Sequence, residues 1–260
     1  MTRKLALITG ASAGLGVEFA RIAAKDGYDL VLVARRLPQL ESVAQEVAAA
    51  HGVQAQAIAS DLSDPAAPER LFAEVQGRGL QVDVLVNNAG FGSSGAFLEL
   101  PLERETEMIE VNIQALVKLT HLFGRQMQVR NSGAILNIAS TAGFQPGPYM
   151  STYYASKAFV LSFSEALAYE LKGSGVHVTA HCPGATATEF AGAAGNDKSK
   201  LFQQQKPASA PEVALHAWRS MKAGKPLAVH GVMNKLGAIG AQFAPRALVR
   251  AFAASLNRPG

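Results

Sequence analysis

Short apolar runs alternate with longer stretches of helical periodicity, and this alternation constrains the chain more than any other feature. Leu5–Thr9, Asp29–Ala34, Gln54–Ala59, Asp83–Asn87, Ala134–Ala139, Val176–Cys182 and Leu227–Val229 read as strands. Between them, Leu15–Lys25, Pro38–Ala50, Pro65–Gln76, Leu102–Val129, Met150–Lys172 and Pro211–Ala223 repeat apolar positions at helical spacing. Pro38, Pro65 and Pro211 stand where helices are expected to start, and Gly27, Gly52 and Gly173 where they are expected to end. Strands that are apolar nearly throughout must be covered on both faces, which requires a parallel sheet with helices above and below. The expectation is an α/β fold: a doubly wound parallel sheet of about seven strands, in one domain spanning residues 1–260 with a helical extension from about residue 235. Such sheets bind ligands beyond the carboxyl ends of their strands, which directs attention to the loops at 10–16, 35–36, 60–61, 88–92, 140–149 and 183–195.

Composition narrows the function classes. Of 260 residues, 48% are hydrophobic and 17% charged, which excludes a disordered chain. The single cysteine, Cys182, excludes a disulfide framework and a multi-cysteine metal site; no metal is expected, and a reducing compartment fits. The longest uncharged stretch, Asn131–Ser156, carries Asn, Ser, Thr, Pro and Gly throughout and does not suit a membrane span. Arg3 and Lys4 precede an apolar run that stops after four residues, too short for a signal peptide, so a cytoplasmic location is expected. The net charge of +4 conceals an asymmetry: residues 213–260 hold seven basic and no acidic residues, leaving −3 for residues 1–212. That tail could meet anionic substrates, a membrane or nucleic acid, although a solvated surface is the preferred reading. No zinc-ligand spacing or RNA-binding signature supports nucleic acid.

Four loops carry polar chemistry. Thr9-Gly10-Ala11-Ser12-Ala13-Gly14-Leu15-Gly16 joins the first strand to the first helix, and its glycines would let a diphosphate approach the helix N-terminus. A plain loop would tolerate the same glycines, but the strand-to-helix position favours a nucleotide. At the end of the second strand, where a carboxylate would select NAD, Ala34 is followed by Arg35 and Arg36, whose guanidinium groups suit the 2′-phosphate of NADP. Asp61, followed by Leu62, could accept from an adenine amino group or simply cap a turn. Asn87-Asn88-Ala89-Gly90 ends the fourth strand, where Asn could stitch strand ends together while Ala89 and Gly90 leave the backbone open.

The decisive group is Ser140, Tyr153 and Lys157. Tyr153 and Lys157 stand four residues apart on an expected helix and so share a face, and no other tyrosine has a lysine at that spacing. Ser140 precedes Tyr153 by thirteen residues, at the mouth of the fifth strand. A carbonyl reduced by hydride needs a proton at its oxygen, and a phenol beside an ammonium can supply one. Tyrosine ionises near pH 10 by itself, so service near neutrality requires about 4 kcal/mol of assistance. A neighbouring Lys⁺ and an oxidised nicotinamide ring would both contribute.

Together, T-G-x-x-x-G-x-G, N-N-A-G, Asn112, Ser-x₁₂-Tyr-x₃-Lys and Pro183-Gly184 resemble the short-chain dehydrogenase/reductase family over about residues 4–190. The resemblance implies a Rossmann-type fold, an NAD(P)(H) cofactor and hydride transfer at a carbon–oxygen centre. It implies Tyr153 as general acid/base, Lys157 as the residue that bonds the nicotinamide ribose and lowers the tyrosine pKa, and Ser140 as the substrate-oxygen partner. It implies Asn112 as a residue holding a relay water, and Asp61 as the adenine contact. Asn88 would line the cofactor cleft, with Leu62, Ala89 and Gly90 alongside. Pro183, Gly184, Thr186 and Thr188 would contact the carboxamide, and Gly10, Ser12, Gly14, Leu15 and Gly16 the diphosphate. The chain departs from many NADP-dependent members in holding Ala13 where they carry a basic residue, which leaves the 2′-phosphate to Arg35 and Arg36.

The resulting expectation is an NADP(H)-dependent reductase of a hydrophobic ketone or aldehyde, working reversibly on a secondary alcohol and assembled as a dimer or tetramer. Phe91, Phe97, Phe144, Pro146, Pro148, Tyr149 and Phe190 would make the substrate side apolar, on loops 91–97, 144–149 and 185–206. A 3-oxoacyl thioester reductase is the nearest alternative, and an NADP-sensing protein without turnover a more remote one. In the tail, Leu236, Ile239, Phe243, Leu248, Val249, Phe252 and Leu256 recur at near-helical spacing, with Pro245 restarting the helix and Arg246 and Arg250 on one face. Folding back over the substrate loop or packing across a dimer is favoured over lying on an anionic membrane.

Overall fold

The computed structural model describes residues 3–193, 195 and 207–258. β-branched and leucine-rich runs form β1 (Leu5–Thr9), β2 (Asp29–Ala34), β3 (Ala55–Ala59), β4 (Val84–Asn87), β5 (Gly133–Ile138), β6 (Val176–Cys182) and β7 (Leu227–Val229). They make a seven-stranded, all-parallel sheet in the order β3-β2-β1-β4-β5-β6-β7. The order reverses between β1 and β4, so the loops after those two strands splay apart and open a crevice between them.

Helices α1 (Gly14–Lys25), α2 (Leu37–His51), α3 (Ala67–Gly77), α4 (Leu102–Ile109), α5 (Leu116–Val129), α6 (Ser151–Glu170) and α7 (Ala210–Lys222) are joined by α8 (Val232–Phe243) and α9 (Arg246–Asn257) near the end of the chain. Pro38 lies in the first turn of α2, and Gly52 ends that helix at φ +65°, a left-handed conformation. One face of the sheet packs on α1, α2 and α7 through Phe19, Leu40 and Trp218; the other packs on α3 and α5 through Leu71, Leu119 and Phe123. Asp26, just past α1, accepts from Trp218 Nε1 at 2.8 Å and Lys222 Nζ at 2.7 Å, which ties α1 to α7.

Two helices differ from expectation. The run expected as one helix over Leu102–Val129 contains a π-helical turn, Glu110–Ala115, between α4 and α5. The wider turn brings Asn112 into the interior, where it is 1% exposed. Pro65 does not open a helix: the Asp64 carboxylate accepts the Ala66 N–H at 2.9 Å in a local turn, and α3 starts afterwards with Pro68 in its first turn.

Candidate active site

The turn after β1 is closed around positions that have no room for side chains. Gly10 has φ +67°, and a Cβ there would lie 2.9 Å from both Ala89 Cα and Asn88 Nδ2. A Cβ on Gly16 would stand 2.1 Å from the Gly10 carbonyl oxygen, so glycine alone lets α1 start beneath the loop. No side chain caps α1, whose N-terminus is therefore left to present its amides to an anionic group.

The β4 side is held by hydrogen bonds. The Thr9 hydroxyl accepts the N–H groups of Asn88 and Ala89, each at 3.0 Å, and Asn88 Nδ2 donates to the Thr9 carbonyl at 2.9 Å and the Gly10 carbonyl at 3.2 Å. Asn87 donates the other way, to Thr120 Oγ1 at 3.0 Å and Asn137 Oδ1 at 2.9 Å, and Asn137 donates in turn to Ser164 Oγ at 2.9 Å. Asparagines thus stitch the strand ends as the sequence suggested, and Ala89 and Gly90 are left lining the crevice.

Ser140 follows β5 and caps the short turn Thr141–Phe144, its Oγ accepting the Ala142 N–H at 3.1 Å. Tyr153 and Lys157 lie one turn apart on α6, with the lysine ammonium 5.8 Å from the tyrosine ring centroid. Burial pushes the Tyr153 phenol well above its ordinary value, and a hydrogen bond with Ser140 offsets part of the rise. The expected downward pull from Lys157 is not found in this structure. The buried Lys157 ammonium donates to the Ile138 carbonyl at 2.8 Å, and burial brings its own pKa down to about 8. Desolvation is the largest influence on both groups, raising the phenol and lowering the ammonium.

Asn112 clips the β4 loop to α6. Its Oδ1 accepts the Phe91 N–H at 3.1 Å, and its Nδ2 donates to the Phe91 carbonyl at 3.0 Å and Ser156 Oγ at 3.1 Å. A Cβ on Gly90 would lie 2.9 Å from Asn112 Oδ1 and 3.5 Å from Lys157 Nζ, so both polar heads converge over that glycine.

These groups share a cavity of about 1150 Å³. Gly10, Gly14 and Leu15 line it from the first turn, with Arg35 from the end of β2, and Asn88, Ala89 and Gly90 from the end of β4. Ser140, Tyr153 and Lys157 face it, as do Pro183, Gly184, Thr186 and Thr188 after β6. Ser12, Gly16, Arg36, Asp61, Leu62 and Asn112 are not part of its wall. Arg36 flanks the glycine turn, its Nη2 lying 3.5 Å from both Ser12 Oγ and Glu189 Oε2, and Arg35 Nη1 is 3.5 Å from Glu107. Asp61 Oδ1 accepts the Ser63 N–H at 3.1 Å and hydroxyl at 2.8 Å, which is the turn-capping arrangement, while Leu62 belongs to the core.

The apolar side is divided. Phe91, Phe144 and Phe190 line the cavity, and the Phe190 ring centroid lies 5.3 Å from that of Tyr153. Phe97 and Tyr149 do not line it, and Pro146 and Pro148 border a separate cavity of about 570 Å³ beside Arg246. Residues 194 and 196–206 of the expected substrate loop lie outside the described residues. The outer wall comes from α8 and α9, through Met233, Asn234, Leu248, Phe252 and Leu256. Asn257, which the sequence did not single out, pins α9 in place: its Oδ1 accepts the Tyr154 hydroxyl at 3.2 Å, and its Nδ2 donates to the Pro148 carbonyl at 3.2 Å. The tail's apolar spacing announced packing, but nothing in the sequence named the partner.

Comparison with known proteins places this geometry in company. The family described as short chain dehydrogenase matches residues 4–199. A very-long-chain 3-oxoacyl-CoA reductase of Phaeosphaeria nodorum is 38% identical over 177 residues, covering 66% of this chain and 52% of the relative. The chain spans about half to two thirds of the length of the first curated relatives it matches. Among solved structures, a short-chain dehydrogenase from Sphingobium yanoikuyae in complex with NADPH superposes with a TM-score of 0.83 at 33% identity, covering 92% of this chain and 93% of that one. A 7beta-hydroxysteroid dehydrogenase superposes with a TM-score of 0.87 at 28% identity, covering 97% of each chain.

Proposed function

The chain belongs to the short-chain dehydrogenase/reductase family of oxidoreductases, and within it we propose an NADP(H)-dependent enzyme that interconverts a hydrophobic ketone or aldehyde and its alcohol. The observation that carries this reading is the convergence of Ser140, Tyr153 and Lys157 on one cavity that is glycine-floored at one end and apolar at the other. The residues fit a dinucleotide: the glycines let the turn close directly over the start of α1, α1 begins without a side-chain cap, and Ala89 and Gly90 keep the β4 edge bare. Gly10, Ser12, Gly14, Leu15 and Gly16 would hold the diphosphate, Lys157 the nicotinamide ribose, and Pro183, Gly184, Thr186 and Thr188 the carboxamide. Arg35 and Arg36, with no carboxylate at Ala34, favour a 2′-phosphate, and the similar Sphingobium protein was solved with NADPH.

When bound, the nicotinamide supplies or accepts the hydride. The chain's own work is proton transfer and positioning. Ser140, whose Oγ accepts from Ala142 and whose hydrogen is free to turn toward the phenol, orients the substrate oxygen together with Tyr153. A phenol raised by burial stays protonated and so holds the proton that this oxygen needs, while burial itself makes that proton harder to release. Lys157, with Asn112 beside it over Gly90, would start the route by which the proton is replaced, Asn112 holding a relay water in place and not carrying the proton itself. Phe190 against Tyr153 excludes water from the reacting side.

A second reading, reduction of a 3-oxoacyl thioester, draws on the name of the Phaeosphaeria relative and on the length of apolar wall beyond Phe144. The test is NADPH oxidation, followed at the reduced-nicotinamide absorbance, with plain ketones and 3-oxoacyl thioesters of matched chain length. Turnover of the ketones supports the first reading, and turnover confined to thioesters the second. NADPH binding without turnover of any carbonyl compound leaves the sensing alternative.

A further inference from the structure

We propose that the outward face of α8 and α9 docks on an anionic lipid bilayer, so that the substrate cavity opens toward the membrane. Ala238 is the one buried residue among the twelve of α8. Its apolar side chains stand in solvent instead: Val232 is 72% exposed, Met233 78%, Leu236 57%, Ile239 55% and Phe243 84%. Leu248 and Phe252 on α9 are 66% and 62% exposed, while Val249 and Ala253 of the same helix turn inward. Single exposed apolar residues are ordinary; seven on two consecutive helices make a patch that needs an occupant. The helices do fold back over the cavity, as the sequence suggested, but folding back satisfies only their inner face.

Charge decides between occupants. Lys235, Arg246, Arg250 and Arg258 are exposed among these apolar residues, no ion pair joins them to a carboxylate among the described residues, and residues 213–260 contain no acidic side chain. A second copy docked by a twofold axis would bring this basic segment against itself with no carboxylate of its own to answer it. An anionic headgroup layer complements it, with the apolar side chains entering the interface beneath. The cavity adds an independent reason. Met233, Leu248 and Phe252 are both exposed and cavity-lining, so the patch surrounds the mouth. A copy of the protein seated there would close the mouth, whereas a bilayer would deliver apolar guests to it. Only this last point rests on the proposed carbonyl substrate.

The experiment is co-sedimentation of the full-length protein with vesicles of phosphatidylcholine alone or with added phosphatidylglycerol, at low and high salt. The expected result is at least about tenfold tighter binding to the anionic vesicles, lost at high salt. The double variant Leu236→Asp/Phe243→Asp, at exposed positions outside the cavity wall, should stop sedimenting while turning over a short, water-soluble ketone at the parent rate. The double variant Lys235→Gln/Arg250→Gln should weaken anionic binding by roughly 20- to 30-fold. Equal binding to neutral vesicles, or parent protein left in the supernatant, overturns the proposal. A dimer in light scattering that Leu236→Asp/Phe243→Asp dissociates, without vesicle binding, assigns the face to a second copy instead. Absence of turnover in the parent refutes the proposed function and leaves the vesicle result to stand or fall by itself.

Discussion

Replacing Tyr153 with phenylalanine separates the chemistry from the scaffold, because the ring and the hydroxyl do different things. The ring lies edge-on to Tyr154 at 6.1 Å and tilted against Phe190 at 5.3 Å, and phenylalanine preserves both contacts. What is lost is the hydrogen bond with Ser140, whose Oγ keeps its bond from the Ala142 N–H. One neutral hydrogen bond contributes about 0.5–1.5 kcal/mol net, and removing a desolvated hydroxyl offsets part of that. The melting temperature is therefore expected to stay within about 4 °C of the parent. Loss of the proton donor should lower kcat by about 10²- to 10⁴-fold, equivalent to roughly 3–5.5 kcal/mol of barrier. NADPH affinity, followed by quenching of protein fluorescence or enhancement of cofactor fluorescence, should remain within about threefold of the parent, since phenylalanine keeps the ring and Lys157 and the glycine turn are unchanged. Turnover of Tyr153→Phe within threefold of the parent, under conditions where chemistry limits the rate, would refute the assignment. A collapse of NADPH binding alongside turnover would instead show that the hydroxyl organises the cofactor site.

Arg35→Ala should raise KM for NADPH by about 10- to 150-fold, the range for losing one charge-assisted contact of roughly 1.5–3 kcal/mol, and barely change KM for NADH; a parent enzyme that prefers NADH overturns the arginine reading. With the Lys157 ammonium brought down to about 8, kcat/KM should decline above pH 8 as that charge is lost, and Lys157→Arg, if it retains turnover, should move the decline to higher pH. His181, fully buried against His216 at 3.1 Å, has its pKa pushed down to about 3 by desolvation, so the unfolded chain takes up its proton first as the pH falls. Its contribution is complete above pH 6.5 and is lost progressively toward pH 3, costing about 2 kcal/mol by pH 5 in urea unfolding; His181→Phe should flatten that slope, and an unchanged slope assigns it to other groups.

Sequence periodicity located the sheet closely because every strand is short, apolar and bounded by turn residues. β1, β2, β6 and β7 begin and end where the pattern placed them, β3 and β4 start one residue later, and β5 is shifted by one residue at both ends. The helix expected across Leu102–Val129 was not legible in the same way. Its apolar positions run on through the π-helical turn, and only the hydrogen bonds of Asn112 to Phe91 and Ser156 make that turn worth forming. The half of the site built from strand ends was legible, since parallel topology brings the carboxyl ends of β1, β4, β5 and β6 to one edge whatever the loops do between them. Asp61 was ambiguous because an aspartate that caps a turn and one that meets a ligand have the same sequence, and here Ser63 occupies it.

The outer wall had no comparable signal, and the reason bears on how the protein divides its tasks. The family match ends at residue 199, whereas Met233, Leu248, Phe252 and Leu256 close the cavity from beyond it. The proposed catalytic groups are set by β5 and α6, whose positions the sheet dictates; the substrate end depends on where α8 and α9 come to rest. Among the described residues, that resting place is held by the Asn257 bridge between Tyr154 and Pro148 and by the inward residues Ala238, Val249 and Ala253. A wall whose other face is apolar and basic would be positioned in part by whatever covers that face. Chemistry and access are thereby carried by different parts of the chain. An occupant on α8 and α9 would accordingly act on KM for bulky substrates, while kcat for small ones stays with Ser140, Tyr153 and Lys157.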